Sequence, residues 1–446
     1  MHIDLPENVE KIINRLQSAG FEAYAVGGCV RDSLLGRTPN DWDITTSAEP
    51  YETKALFKRT FDTGIQHGTV SVLMDKEIYE VTTYRIDGLY EDARHPKNVT
   101  FTRELKEDLL RRDFTINAMA YNHKDGLVDL YDGVSDLKNG VIRCVGNPMD
   151  RLSEDALRIM RAVRFAAQLN YQIEEGTLEA IRVLAPNLSK ISAERIQTEL
   201  VKILTSDNPG YIKLAYELGI TKYFLPEFDA AMETLQNNPN HCYTVGEHIL
   251  KVLENVPNDK VLRIAALLHD LGKVETRTTD DKGIDHFAKH PLAGEKIAHE
   301  FFRRLKFDTD TENKVCRIVR FHDWFIGADV SKIRHYINRI GEDAFPKIFD
   351  FNRADMLAQS DYNREEKLVH IEKLKKAYEE VIEAGDCVSL KTLAVNGKDL
   401  KEAGIAPGPL MGEILNNLLE VVLDNPSLNT KEYLIALVEK GNNREN

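Results

Sequence analysis

The segment from residue 23 to residue 43 constrains the fold of this 446-residue chain more than any other. An apolar run, Ala23-Tyr24-Ala25-Val26, leads through Gly27 and Gly28 into a short predicted helix, and the segment ends with Asp41 and Asp43. Glycines between a strand and a helix present backbone N–H groups that suit a phosphate. Strand residues two apart point to the same side, so the two aspartates would share one face. Neighbouring carboxylates suit Mg²⁺, which is usually held by one or two of them together with substrate phosphates. The segment therefore predicts phosphoryl or nucleotidyl transfer.

Each half of this segment, taken alone, has an ordinary explanation. Paired glycines are common in turns, and an Asp-x-Asp pair is more often a solvated turn than a metal site. Their closeness in one strand–turn–helix–strand segment favours function. Neither the glycine pattern of dinucleotide-binding folds nor that of P-loops occurs in the sequence, so those two classes are excluded.

The composition indicates a soluble globular protein with more than one core. At 446 residues the chain should form about two to four domains, and 42% of its residues are hydrophobic. The five cysteines show no CxxC spacing and are expected to be reduced thiols, which with the absence of a signal-peptide pattern predicts a cytoplasmic protein. No apolar run reaches transmembrane length, so no membrane partner is expected. The net charge of −14 argues against a general nucleic-acid coat but allows a local basic cleft.

The rest of the first third alternates strands and short helices. Residues 41–45 are predicted as a strand, and a hairpin is predicted from residues 69–74 and 78–85. Glu80 on its second strand is a candidate third acidic group near the metals, and a solvated strand glutamate is the alternative. Residues 86–100 are polar and predict a loop. Arg111, Arg112 and Asp113 follow in an apolar context, which indicates either a structural ion pair or nucleotide contact.

Residues 151–168 predict one continuous amphipathic helix, with Ser153 as its N-cap. Asp155 and Arg158 would share a stripe of this helix, with Arg161 at its edge. An Asp–Arg pair at this spacing is normally a surface ion pair of a few tenths of a kcal/mol. The chain then continues as helices, with a boundary near residues 237–240.

Histidines and aspartates form a second pattern, between residues 241 and 360. His248 lies on a predicted helix, His269 and Asp270 end the apolar segment RIAALLHDLGK, and Asp355 lies in FNRADMLAQ. The order His, His-Asp, Asp resembles the HD phosphohydrolase superfamily. Imidazole and carboxylate ligands together bind transition metals, so Mn²⁺, Ni²⁺ or Zn²⁺ is expected. Candidate further residues are His290 and His322 for a second ion and Lys273 for a phosphate, although a single histidine on an apolar face is usually structural.

An ordered series of motifs resembles the class II tRNA nucleotidyltransferases, or CCA-adding enzymes, which are related to bacterial poly(A) polymerases. The series is GGCVRD with DWD, a loop ending in RHP, RRDFTINAMA, YDG and EDALRIMRAVRF. The resemblance implies an α+β fold, with a DNA polymerase beta-like head containing a small mixed sheet, followed by all-α regions. The implied regions are a nucleotidyltransferase head (1–145), a helical neck and body for nucleotide selection and RNA binding (146–236), an HD domain (237–365) and a helical tail (366–446).

The same resemblance assigns roles to individual residues. Asp41 and Asp43 would hold two Mg²⁺ ions for nucleotidyl transfer. The nucleotide would be bound by Gly27, Gly28, Arg31, Arg112, Asp113, Asn117, Asp155, Arg158 and Arg161. Adenine and cytosine both present an amino donor beside a ring-nitrogen acceptor, whereas guanine and uracil present a carbonyl and an N–H. Asp155 and Arg158 would therefore accept A and C and leave buried groups unpaired against G and U.

The implied substrates are CTP, ATP and the 3′ end of tRNA, and the implied reaction is template-independent addition of CCA. Gly408, Pro409 and Gly412 resemble part of a tRNA-binding tail, and an ordinary loop is the alternative for each. Addition of CC only, addition of A only and poly(A) synthesis are competing activities, and an HD hydrolase is the competitor from another class. Phosphohydrolase activity of the HD region on RNA ends is left open, as is the oligomeric state.

Overall fold

The computed structural model describes residues 2–88, 99–239, 242–323 and 327–442. The chain forms two compact units, Met1–Phe224 and Leu225–Asn446. The boundary between them falls before the predicted boundary at residue 236, and the finer division into four regions stays a prediction. The predicted α+β class, with a sheet in the first part and a mainly helical remainder, is confirmed.

The first unit contains the main sheet. Its elements are α1 (Glu7–Ser18), β1 (Ala23–Val26), α2 (Gly28–Leu34), β2 (Ile44–Thr46), α3 (Pro50–Leu56), β3 (Thr60–Gly64), β4 (Thr69–Met74), β5 (Glu77–Thr83), β6 (Arg85–Asp87), β7 (Val99–Phe101), α4 (Leu105–Leu110), β8 (Met119–Asn122) and β9 (Gly126–Asp129). After them come α5 (Gly133–Asn139), β10 (Val141–Ile142), α6 (Pro148–Glu154), α7 (Leu157–Leu169), β11 (Gln172–Ile173), α8 (Glu175–Leu184), α9 (Ala193–Leu204) and α10 (Ile212–Glu217).

Seven strands form one mixed sheet in the order β3-β4-β5-β2-β1-β8-β9. The hairpin of β4 and β5 turns at Asp75 and Lys76, which both have positive φ, as a two-residue hairpin turn requires. β1 pairs with β2 antiparallel, whereas β2 pairs with β5 in parallel. β2 begins at Ile44, so Asp41 and Asp43 precede the strand instead of lying within it as predicted. The predicted loop 86–100 is bounded by the paired strands β6 and β7, and its residues 89–98 lie outside the described residues.

The predicted continuous helix 151–168 is wrong, because the chain leaves the helical conformation at Asp155. The backbone there has φ −138° and ψ 103°, which separates α6 from α7. Asn147, not Ser153, caps α6, since its side chain accepts hydrogen bonds from the N–H groups of Met149 and Asp150. The Asp155 side chain in turn accepts from the Leu157 N–H at 3.0 Å, which satisfies a free donor in the first turn of α7.

The second unit is mainly helical. It contains α11 (Pro226–Glu233), α12 (Val245–Asn255), α13 (Lys260–Leu268), α14 (Lys273–Thr276), β12 (Thr278–Thr279), β13 (Asp285–His286), α15 (His290–Leu305), α16 (Thr309–Phe321), α17 (Val330–Ile340), α18 (Phe345–Ala358), α19 (Arg364–Glu383), α20 (Gly397–Glu402), α21 (Pro409–Asp424) and α22 (Lys431–Asn442). Among the helices described, none has the length and apolar content needed to cross a membrane.

Candidate active site and metal centre

A cavity of about 730 Å³ in the first unit gathers most of the residues predicted to bind a nucleotide. The predicted residues that line it are Gly27, Gly28, Arg31, Asp41, Asp43, Arg112, Asp113, Asn117 and Arg161. They come from the start of α2, the segment before β2, the segment after α4, and α7. The first 170 residues of the chain thus supply one continuous polar surface.

Asp41 and Asp43 form the acidic part of this cavity. Burial raises the pKa of Asp43, and repulsion from the Asp41 carboxylate raises it further. The positive charge of Arg112 acts in the opposite direction. Partial burial also raises the pKa of Glu80, and repulsion from Asp43 and Asp41 contributes. The register explains this closeness: Ile44 of β2 pairs with Val81 of β5, so Asp43 and Glu80 are neighbours one step earlier. Carboxylates that lie this close together form a donor set that a divalent cation would stabilise.

Arginine and carboxylate side chains fix the opposite wall. Asp113 is buried, and its Oδ2 accepts from Arg161 Nε at 2.7 Å. Its Oδ1 accepts from the Asn117 amide at 3.1 Å, and Asn117 Oδ1 accepts from Arg31 Nη1 at 2.6 Å. Burial alone would raise the pKa of Asp113, but Arg161 and Asn117 hold it well below its usual range. Asp113 is therefore charged and held in one orientation.

Several cavity residues escaped the sequence reasoning. Arg164 lies on the next turn of α7 after Arg161, and its guanidinium lies 4.1 Å from the centre of the Phe165 ring. Arg164 also pairs with buried Glu199 of α9 at 3.1 Å, and burial lowers its pKa to about 10. Further lining residues that were not predicted are Arg37, Gln168 and Lys202. The repeat of arginine at positions 158, 161 and 164 was the available signal.

Asp155 and Arg158 do not line the cavity in this structure. Asp155 faces α9, where Arg195 donates to both carboxylate oxygens at 3.2 and 2.7 Å. Arg158 is held by Glu154 and by the carbonyl oxygens of Arg151 (2.7 Å) and Arg111 (3.1 Å). The break at Asp155 separates the two side chains that a continuous helix would have kept on one stripe.

In the second unit, the predicted histidines and aspartates form one buried cluster. His248 Nε2 lies 2.9 Å from Asp355 Oδ1 and 3.4 Å from Asp270 Oδ2, which is 3.3 Å from His269 Nε2. The other oxygen of Asp270 faces His290 at 3.4 Å and His322 at 3.5 Å. Two groups that could each hold a metal ion, His248–His269–Asp270 and Asp270–His290–His322, therefore share Asp270.

The imidazole hydrogen bonds show which ring nitrogens face the centre. Nδ1 of His269, His290 and His322 contacts the carbonyl oxygens of Ala266, Phe287 and Val319 at 2.9, 2.9 and 2.8 Å, respectively. Each Nδ1 therefore carries the proton, which leaves Nε2 as an acceptor. Nε2 of His290 nevertheless lies 3.2 Å from Nε2 of His322. Two acceptors at this distance require a cation or a proton between them, which fits a metal site.

An open cavity of about 350 Å³ leads to this cluster. Lys273 lines it, with its Nζ 2.7 Å from Asp270 Oδ2 and 3.0 Å from Gln236 Oε1. His286 and Lys289 add cationic or ionisable side chains at its rim. The remaining predicted residues, Gly408, Pro409 and Gly412, are exposed where α21 begins.

The chain was compared with known proteins. A family model described as "Poly A polymerase head domain" matches residues 23–143, and one described as "tRNA nucleotidyltransferase domain 2" matches residues 289–438. The CCA-adding enzyme of Ligilactobacillus salivarius is 35% identical over 98% of both chains. The chain belongs to the CCA-adding enzymes. The CCA-adding enzyme of Limosilactobacillus reuteri is 37% identical over 97% of this chain and 96% of its own length.

Among solved structures, the CCA-adding enzyme of Bacillus stearothermophilus in complex with CTP has a TM-score of 0.72. It is 30% identical and is matched over 98% of this chain and 97% of its own. Membership of the CCA-adding enzymes confirms the predicted family and makes the chain a nucleotidyltransferase, a class that uses divalent metal ions.

Proposed function

We propose that this chain adds the 3′-terminal CCA of tRNA, one nucleotide at a time, from CTP and ATP with release of pyrophosphate. The observation that carries the proposal is the single cavity in which Asp41 and Asp43 face the glycine turn and the Arg112–Asp113 wall. A CCA-adding enzyme that is 30% identical to this chain has been solved with CTP, which supports CTP as a substrate.

Mg²⁺ is the ion that this carboxylate set fits best, with Asp41 and Asp43 as ligands and Glu80 beside them. When bound, it lowers the pKa of the primer 3′-hydroxyl and neutralises the triphosphate and the leaving pyrophosphate. Arg31 and Arg112 would bind phosphate oxygens together with the backbone N–H groups at Gly27 and Gly28.

Asp113 would accept a hydrogen bond from the ribose 2′-hydroxyl and so favour NTP over dNTP. A charged carboxylate offers about four lone-pair positions. Four donors already contact the Asp113 carboxylate: Nε and Nη2 of Arg161, the Asn117 amide and the Phe114 N–H. The 2′-hydroxyl would therefore replace one of the two Arg161 bonds, and the remaining bonds would hold the carboxylate still. A fixed acceptor discriminates better than a mobile one because no orientation entropy is lost on binding.

Base selection would use Asp155 and Arg158 as a protein template, with Arg161 beside them. This proposal requires a rearrangement, because Asp155 is bonded to Arg195 and Arg158 to Glu154 in the present structure. An adenine or cytosine amino group would replace Arg195 as the partner of Asp155, and the ring nitrogen would replace Glu154 as the partner of Arg158. Guanine and uracil offer no such exchange.

The test uses three tRNAs, which end before CCA, after the first C and after CC, each incubated with CTP, ATP or both. We expect C addition with CTP alone, A addition to the CC-ending tRNA with ATP alone, and the full triplet only with both. Arrest after CC identifies a CC-adding enzyme, addition to the CC-ending tRNA alone identifies an A-adding enzyme, and long adenosine tails identify a poly(A) polymerase. Gly408, Pro409 and Gly412 are proposed tRNA contacts. Their substitution would raise the KM for tRNA and leave the KM values for CTP and ATP unchanged.

A second activity is proposed for the buried histidine–aspartate cluster, because four imidazoles converge on the Asp270 carboxylate. Its histidines fit Mn²⁺, Ni²⁺ or Zn²⁺, and Lys273 would bind a phosphate. The proposed substrates are phosphate esters at RNA ends. Metal-dependent hydrolysis of 2′,3′-cyclic nucleotides that is lost in His269→Ala would support this activity. No hydrolysis with any of the three metals would contradict it.

A further inference from the structure

Asp108 is a fully buried carboxylate in a helix next to the active-site cavity. It lies on the inner face of α4, with Leu105 and Leu109 as buried neighbours. A buried charge is costly unless it is paired and hydrogen-bonded. Asp108 does not line the cavity, so contact with the substrate does not explain its presence.

Three side chains from two parts of the unit satisfy Asp108. Arg111 donates to Oδ1, with Nε at 2.9 Å and Nη2 at 2.8 Å. Oδ2 accepts from Arg112 Nη2 at 3.3 Å and from Thr45 Oγ1 at 3.1 Å. Burial alone would raise the pKa of Asp108, but the two guanidiniums hold it below its ordinary value. Asp108 is therefore a permanent negative charge shared by two arginines.

Two of these partners lie at the reacting end of the cavity. Thr45 of β2 follows Asp43 by two residues, so Asp108 is bonded to the strand that begins directly after the metal carboxylate. Arg112 lies against the glycine turn, since a Cβ added to Gly27 would be 3.0 Å from Arg112 Nη1. Its charge also acts on Asp43. Arg112 thus lies between the proposed phosphate site and the proposed metal site, where Asp108, Asp43 and the substrate phosphates can each attract its guanidinium.

We propose that Asp108 is a positioning residue that holds the Arg112 guanidinium at the triphosphate and away from Asp43. This inference rests on the nucleotidyl transfer proposed above. Asp108 supplies Arg112 with an anionic partner on the side opposite the cavity. Without that partner, the Arg112 guanidinium is left with Asp43, on which its charge already acts. An ion pair between Arg112 and Asp43 would occupy a metal ligand and remove a phosphate donor together.

The test compares Asp108→Asn with wild type in CCA addition to tRNA, at varied CTP and varied Mg²⁺. The amide keeps the size of the side chain, and its oxygen can still accept from Thr45 and Arg112, but it carries no charge to hold the two guanidiniums in place. We expect the KM for CTP to rise about tenfold or more, the effect of losing one charge-assisted hydrogen bond to the substrate. The Mg²⁺ concentration for half-maximal rate should rise as well.

Four further measurements separate positioning from general damage. CTP binding is measured directly in Ca²⁺, and thermal unfolding reports folding. Asp386→Asn removes the partner of buried Arg334 in the second unit, and its KM for CTP should stay at the wild-type value. In a double-mutant cycle, Asp108→Asn in the Arg112→Ala background should change the KM less than twofold, because the side chain through which Asp108 acts is already gone.

An unchanged KM for CTP in folded Asp108→Asn would overturn the inference. So would a double variant whose increase in KM equals the product of the increases in Asp108→Asn and Arg112→Ala, because the two side chains would then act independently. If Asp108→Asn does not fold, Thr45→Val removes one hydrogen bond from the same oxygen and should raise the KM for CTP a few-fold; an unchanged KM would again overturn it. Failure of the proposed function looks different, because wild type itself would then not extend tRNA.

Discussion

Removal of the Asp155 carboxylate tests the protein-template proposal against the ion pairs that the structure contains. Asp155→Ala deletes the hydrogen bond from the Leu157 N–H at the start of α7, which contributes about 1 kcal/mol, and the two hydrogen bonds from Arg195, which together contribute about 1.5–3 kcal/mol. The melting temperature of the first unit should therefore fall by roughly 5–15 °C. The amide oxygen of Asp155→Asn can still accept from the Leu157 N–H, so a smaller decrease is expected.

Base selection should respond differently from stability. If Asp155 accepts from the amino group of A or C, its loss removes about 1.5–3 kcal/mol of discrimination, or roughly 10- to 150-fold in the ratio of kcat/KM for CTP over UTP. Asp155→Asn should lose discrimination to a similar degree, because its amide can face either a carbonyl or an amino group. Single-turnover rates with each of the four NTPs measure this ratio below the melting temperature of each variant.

Arg195→Met is the matched control, because it breaks the same ion pair and leaves Asp155 in place. It should lower stability but keep A and C selection. Unchanged discrimination in folded Asp155→Ala and Asp155→Asn would refute the template proposal. Equal loss of discrimination in Arg195→Met would show that the ion pair, not a base contact of Asp155, controls selection.

Three other predictions follow from single features of the structure. Gly27→Ala should weaken CTP binding because its Cβ would press on Arg112. The control Gly20→Ala has a similar φ of +92° and no atom within 4 Å of its Cβ, so it should lose only about 1–2 kcal/mol of stability. Equal CTP affinity in both variants would contradict this prediction. Because the pKa values of Asp43 and Glu80 are raised, the Mg²⁺ concentration needed for activity should increase as the pH falls from 7 to 5, above the ordinary aspartate range near 4. In Arg112→Ala this increase should begin at a higher pH. A Mg²⁺ requirement that does not change with pH would argue against these ligands. Mn²⁺ or Ni²⁺ at about 100 times its Kd should stabilise the second unit by about 2.7 kcal/mol, measured as a shift in its thermal transition. His269→Ala should abolish this shift. An equal shift in the variant would place the metal elsewhere.

Features set by local chemistry were predictable from the sequence. Gly27, Gly28, Asp41 and Asp43 lie within one short segment between β1 and β2, and all four line one cavity. The hairpin that carries Glu80 follows from its alternating pattern. The parallel pairing of β2 with β5, which brings Glu80 beside Asp43, is a long-range contact that no local pattern specifies.

Features set by distant partners were not predictable. The pattern of residues 151–168 fits an unbroken helix, but the chain leaves the helical conformation at Asp155. The Asp155 carboxylate accepts from the Leu157 N–H at the start of α7 and pairs with Arg195, some 40 residues later. No prediction was made for Asp108, because a charged residue gives no local signal of burial and only the packing of α4 buries it. Arg164 was not among the predicted residues, and only the packing of α7 buries it beside Phe165.

The most direct test of the central claim compares wild type, Asp43→Asn and His269→Ala on a tRNA that lacks CCA, with CTP, ATP and Mg²⁺ present. Nucleotidyl transfer in the Gly27–Asp43 cavity predicts that wild type and His269→Ala both add the complete triplet, and that folded Asp43→Asn adds no nucleotide. Triplet addition by Asp43→Asn, or its loss in folded His269→Ala, would contradict the claim.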